Sequence, residues 1–313
     1  MQSFQNLLQR FGLWVGLLFI SAGFFAVSAH SLPPLPSAMP APLSKPATAS
    51  VTVKAPVYKI SPTVKQGQVA FIKVTIDKGA LDQGVVWLAG RKVPLYWQQE
   101  GFYQAHVPVQ VRQKPGGYTL KIQNRQGKTL HQAKIEVENA RFSKQNIRTT
   151  PSVAGLQPEP GELDAIGRLK KITSPRRHWD QPFQIPTPDC MNSSFGNLRY
   201  HNGIYTGNYH KGIDLRSPMS RPVKATAGGK VTIARKYRLH GGTVGLDHGQ
   251  NISSIYIHLS KIAVKPGDFV KKGQVIGYVG ATGFATGPHL HWGLYVNGLP
   301  VNPLQWVPPI PRC

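Results

Sequence analysis

Glycine and proline break this chain so often that it has little room for long helices. With 32 Gly and 27 Pro in 313 residues, short strands joined by turns are the favoured architecture. At 41% apolar and 16% charged residues the chain is also too apolar to remain a disordered polycation, and it is long enough for two ordinary domains. Its charge is lopsided, with 37 Lys and Arg against 13 Asp and Glu. Such an imbalance favours an anionic partner: nucleic acid, a membrane surface or an acidic wall polymer.

The first residues narrow that choice. Arg10 precedes an apolar run from Leu13 to Val27, too short and too interrupted for a comfortable membrane span. Val27, Ser28 and Ala29 then supply the small residues of a cleavage site. We read 1–29 as a secretory signal peptide, leaving no membrane span after cleavage. The expected location is outside the cytoplasm, in the periplasm or cell envelope, where nucleic acid is not an expected partner. The excess charge divides between both parts of the remaining chain. Residues 30–199 hold 23 basic and 10 acidic groups, and 200–313 hold 13 and 3. That spread suits general attraction to a wall polymer better than a focused nucleic-acid stripe.

Residues 30–56 carry six prolines between Pro33 and Pro46 and read as an extended tether. From 57 to 140 the pattern is that of strands. Ala70, Ile72, Val74 and Ile76 alternate with more polar neighbours apart from Phe71. Tyr118, Leu120 and Ile122 alternate after the turn at Pro115–Gly117, and Ile135 and Val137 follow the turn at Asn124–Gly127. Several short strands at this spacing predict a small β-sandwich. Its histidines, His106 and His131, stand alone and read as structural. Residues 141–179 read as a connector with one short helix, in which Leu163, Ile166, Leu169 and Ile172 recur after Glu162 and Gly167 weakens the pattern.

The chemistry concentrates after residue 180. Seven of the eleven histidines follow residue 200, accompanied there by only Asp214, Asp247 and Asp268. That ratio points to a metal site built from imidazole and one carboxylate rather than to a carboxylate pair. In Gly287-Pro288-His289-Leu290-His291-Trp292, alternate side chains of a strand share a face. His289 and His291 then enter one cleft about 7 Å apart at the backbone, and Leu290 turns to the core. His210 and Asp214 are also an even number apart, so an extended segment would carry both on one face. Zinc suits such ligands, and three protein groups with one open position is its catalytic form. His210, Asp214 and His291 fill those three places, leaving His289 and His258 for proton transfer or oxyanion stabilisation. Spacing by itself leaves His289 and His291 interchangeable.

The stretch from Phe195 to Trp306 resembles the LytM or lysostaphin-like zinc metallopeptidases, which cut peptide bonds in bacterial peptidoglycan. The resemblance rests on Ser194-Phe195-Gly196, His210-Lys211-Gly212-Ile213-Asp214, Pro222–Ala225, Asp247-His248-Gly249, Tyr256–Ser260, Gly267–Gln274, Gly277–Gly280, Thr286–Trp292 and Val301-Asn302-Pro303. It implies an antiparallel β domain over 180–313 with the cleft on one sheet face. It also implies one zinc held by His210, Asp214 and His291, with His258 and His289 catalytic. Two places depart from the pattern: His240-Gly241-Gly242-Thr243 stands where Gly-Asn is expected, and His201–Asn208 forms an unusual loop beside the cleft. His248 resembles a structural histidine. Cys190 at the domain's entrance and Cys313 at its end predict a disulfide around it, with free thiols as the alternative.

The sequence therefore predicts an all-β protein comprising an N-terminal sandwich-like domain, a connector and an antiparallel peptidase domain. The expected function is that of a secreted zinc endopeptidase acting on stem-peptide cross-links of peptidoglycan. The alternative is a non-catalytic wall-binding regulator or amidase activator with the same fold.

Overall fold

The computed structural model describes residues 55–313. The signal peptide over 1–29 and nearly all of the tether over 30–56 lie outside the described residues. Among those described, no helix is long and apolar enough to cross a membrane. The architecture is nearly all-β.

Two sheets face each other in the N-terminal part. One runs Val57–Ile60, Val69–Thr75, Phe102–Pro108, Tyr96–Gln98; the other runs Thr63–Lys65, Thr129–Glu138, Gly116–Gln123, Val85–Leu88, Arg91–Pro94. Ile72, Val74, Ala105 and Val107 from the first meet Val86, Leu120, Ile122, Ile135 and Val137 from the second in one core. The alternation in the sequence is thus the inward face of each strand. Phe71 interrupts that alternation because its side of the strand is also covered. Its ring lies edge-on to His106 and Trp306, in a second core shared with Phe183, Leu294, Val296 and Val301. Hydrogen bonds cross the same junction: Gln305 accepts from the Val69 N–H and donates to its carbonyl, both at 2.8 Å.

The stretch after 140 contributes more than a link. Lys144–Ile147 pairs in parallel with Leu198–His201, which pairs antiparallel with Ile204–Tyr209. A helix runs Glu162–Lys170, with Glu162 and Asp164 in its first turn and Arg168 and Lys170 in its last, complementing the helix dipole. Ile166 and Leu169 are buried against Ile233, Tyr237, Ile255, Ile257 and Tyr295. Leu163, which shared their three-residue spacing, is 57% exposed. Steps of three lag a 3.6-residue period, so the run drifts around the helix instead of keeping to one face.

The principal C-terminal sheet is antiparallel. Its strands run Cys190–Ser193, Ile213–Arg216, Leu290–Val296, Ile252–Leu259, Gly241–Gly249, Gly229–Tyr237 and Phe269–Val270. Gly241–Gly249 and Ile252–Leu259 are buried along their whole length: the helix packs near Gly245, while Arg176–Arg177 and Thr282 close over Gly249 and Gly241. Cys190 and Cys313 form a disulfide, and the tail lies beside the first strand through the Met191 N–H to the Pro311 carbonyl at 2.8 Å.

Candidate metal centre and catalytic cleft

Register creates the site. Asp214 stands opposite His291 on neighbouring strands, flanked by the pairs Ile213–Trp292 and Leu215–Leu290. Leu290 and Trp292 are fully buried, so His289 and His291 take the opposite face, as period two requires. His210 arrives differently from the extended segment expected for it. The strand begins only at Ile213, and the chain bends at Lys211-Gly212. A Cβ at Gly212 would collide with the Trp292 carbonyl and the His291 ring, so a glycine is what lets the bend press against the neighbouring strand.

Three donor atoms converge there. His210 Nε2 lies 3.0 Å from Asp214 Oδ1, His291 Nδ1 lies 2.8 Å from that oxygen, and the two nitrogens are 2.9 Å apart. The His210 Nδ1–H donates to the Ser194 carbonyl at 2.9 Å, which leaves Nε2 of the neutral ring with its lone pair turned inward. Lone pairs from two imidazoles and a carboxylate crowded this closely suit a borderline dication such as zinc. Burial would raise the Asp214 pKa, but His210 and His291 outweigh it and hold the carboxyl well below its usual value. Burial pushes His291 down to about 4 despite the neighbouring carboxylate. Both directions favour the deprotonated forms of Asp214 and His291, the forms in which such groups bind a metal.

His258 and His289 stand beside this centre, their ring centroids 4.7 Å apart. The His258 Nδ1–H donates to the Thr282 carbonyl and the His289 Nδ1–H to the Gly287 carbonyl, each at 2.8 Å. Each ring is thereby fixed in the tautomer that leaves Nε2 free. Burial, with His289 and His291 nearby, pushes His258 down to about 3. Its backbone is held at a φ of 66°, a left-handed conformation uncommon outside glycine and often found at functional positions.

All five predicted site residues that line the cleft as a group, His210, Asp214, His258, His289 and His291, meet in a cavity of about 990 Å³. His201 and His240 line it as well, with His201 stacked on Phe284. His248 does not. It is fully buried, joined through Nδ1 to the Gly228 carbonyl and through Nε2 to Ser254 Oγ.

Sequence reasoning missed the groups behind the ligands. Arg199 Nη2 lies 3.4 Å from Asp214 Oδ2, and its Nη1 donates to Gln145 Oε1 at 2.8 Å. Gln145 Oε1 also accepts from Ser193 Oγ, whose oxygen lies 3.0 Å from His210 Nδ1. No motif signalled this network, because Gln145 belongs to the stretch read as a connector.

A β-sheet carrying a His, Asp, His cluster that could hold a metal ion, with two oriented histidines beside it, is the arrangement of a metallohydrolase-like centre. Residues 208–303 match the profile described as Peptidase family M23. The C-terminal region of this chain is a LytM/lysostaphin-like domain of that zinc-dependent family. It is 40% identical over 122 residues to the DD-carboxypeptidase/endopeptidase Mpg of Neisseria meningitidis, covering 39% of this chain and 28% of that protein. It is also 40% identical over 125 residues to the peptidoglycan DD-endopeptidase ShyA of Vibrio cholerae, covering 40% of this chain and 29% of the relative. The matches thus span under a third of the length of these curated relatives. A crystal structure assigned to peptidase M23 from Pseudomonas aeruginosa superposes with a TM-score of 0.58 at 29% identity, covering 79% of this chain and 94% of that one. That share exceeds the C-terminal region and extends the common fold into the sandwich.

Proposed function

We propose that this chain is an exported zinc endopeptidase that hydrolyses peptide bonds in bacterial peptidoglycan, with stem-peptide cross-links as its targets. The observation that carries the reading is the convergence of three lone-pair donors beside two histidines whose free nitrogens are oriented by main-chain carbonyls. His210, His291 and Asp214 would hold one zinc ion. Bound zinc supplies a Lewis acid that polarises a carbonyl and lowers the pKa of water. His289 and His258 perform the proton work. One accepts the proton of the attacking water at its free Nε2 and delivers it to the leaving amine; the other, when a proton occupies its Nε2, donates a hydrogen bond to the oxygen that gains negative charge. The presence of all five residues favours catalysis over a regulator that keeps only the fold.

Export is supported by the signal-peptide pattern read in residues 1–29 and by the disulfide, since such bridges persist in oxidising compartments. The excess of basic residues keeps the protein near an anionic polymer. Within the chain we assign 57–140 to the sandwich, 141–179 to a bridging segment and 180–313 to the peptidase domain.

The test compares wild type, His210→Ala and His289→Ala on purified peptidoglycan, with bound metal measured alongside. His210→Ala should lose zinc. His289→Ala should retain it and lose about 10²- to 10⁴-fold in rate. Equal release of soluble peptides by all three proteins sinks the proposal, and mass spectrometry of the products identifies the bond cut.

A further inference from the structure

The helix Glu162–Lys170 opens on a carboxylate with no solvent exposure. A buried carboxylate is costly unless its lone pairs are used. Glu162 Oε1 accepts from the main-chain N–H of His240 at 2.8 Å and of Leu239 at 3.1 Å, and lies 2.6 Å from His240 Nδ1. Oε2 accepts from the Glu159 N–H at 2.9 Å. Burial opposes ionisation, but these donors outweigh it and hold the Glu162 pKa below its ordinary value.

A turn between two strands closes without any such acid, so the arrangement does more than end a hairpin. It orients a ring. With Nδ1 fixed on Glu162, Nε2 points away from the helix and has no protein partner among the described residues. The His240 side chain keeps 20% exposure and lines the same cleft as the metal ligands. The turn is braced against the site: the His240 carbonyl accepts from the His258 N–H at 3.0 Å, and the Leu239 carbonyl from the Phe284 N–H at 2.8 Å. Arg148 and Arg199 also line the cleft, where Asp214 is the only acidic side chain among the described residues.

We propose that His240, backed by Glu162, forms a subsite of the cleft that binds a carboxylate of the peptide substrate. When both ring nitrogens carry a proton, Nδ1 donates to Glu162 and Nε2 to the incoming carboxylate, so each has a charge-assisted bond. The two arginines supply a positive field around it. The subsite lies outside the five residues assigned to metal and catalysis, at the position where the sequence departs from the expected Gly-Asn. The choice of a peptide occupant rests on the peptidase reading; the oriented ring does not.

The test measures binding separately from turnover. Soluble cross-linked stem peptides, prepared with free or amidated side carboxylates, are titrated calorimetrically into zinc-loaded His289→Ala protein. The free acids should bind about tenfold tighter or better. Adding His240→Gln should erase that preference, and adding Glu162→Gln should reduce it, with folding checked by circular dichroism. Should Glu162→Gln fail to fold, His240→Gln decides. A preference that survives His240→Gln, no preference in the parent, or no binding of either peptide overturns the proposal. Turnover of the same peptides by wild type tests the hydrolytic reading: no cleavage with the preference intact would remove that reading and leave the subsite standing.

Discussion

Cutting the link between Cys190 and Cys313 should be the most damaging change that touches no catalytic group. The two cysteines are 123 residues apart in sequence, and the loop they close contains the whole metal centre. For a loop of this length the chain-entropy relation gives about 5 kcal/mol of stabilisation at 25 °C, through restriction of the unfolded state. The folded state should lose little in compensation. Cys313 is exposed, and the tail stays beside Cys190–Ser193 through the Met191 N–H to Pro311 bond and the Cys313 N–H to Met191 carbonyl bond at 3.2 Å. A loss of about 5 kcal/mol would consume a third to all of a typical stability of roughly 5–15 kcal/mol. The assay is equilibrium unfolding in urea, followed by tryptophan fluorescence, comparing oxidised wild type with Cys190→Ser/Cys313→Ser. The midpoint should fall sharply, while the folded fraction of the variant keeps its zinc because Ser193, Asp214 and His291 remain joined by strand pairing. If unfolding proceeds in two steps, the step that exposes the C-terminal core is the one that moves. A difference below about 1 kcal/mol would refute the loop-entropy reasoning.

Arg199→Met should weaken zinc binding about 10- to 100-fold by removing the group that orients the Asp214 carboxylate, as read by chelator competition; Arg199→Lys should recover part of it. Acid should destabilise the fold. Burial pushes His106 and His248 down to about 4, so each is neutral when folded and binds a proton near its ordinary pKa when unfolded. Their contribution is complete above about pH 6.5 and is lost as pH falls toward 4, by up to about 3 kcal/mol each. Urea midpoints between pH 7 and 5 should therefore fall, and His106→Leu should flatten the slope. A fragment beginning at residue 180 should be less stable and more prone to aggregate than one beginning at 156. It lacks Ile166 and Leu169, which cover Ile233, Ile255 and Ile257, and light scattering with thermal melting compares the two.

Within the chain, periodicity was enough for the local choices. Alternation at Ile72 and Val74 or at Leu120 and Ile122 selects the inward faces of strands. The two-residue step from His289 to His291 sends both to one side while Leu290 and Trp292 go to the other. These are properties of a few consecutive residues, set by backbone geometry that every strand shares. Motifs of the same short range carried the resemblance to a zinc peptidase.

What lay beyond reach involves partners brought together only when the chain closes. Gln145 supports Arg199, Arg199 faces Asp214, and Glu162 holds His240 across a separation of 78 residues. Nothing in the neighbourhood of any of these residues marks it, since an isolated Gln, Arg or Glu is ordinary on a solvated surface. The departure at His240 was visible, but its meaning was not. Sequence by itself determined which side chains could share a face and supply ligands. Tertiary structure decided which of them lose water, which nitrogen each imidazole turns inward and what stands behind it, because burial and long-range hydrogen bonds exist only in the assembled fold.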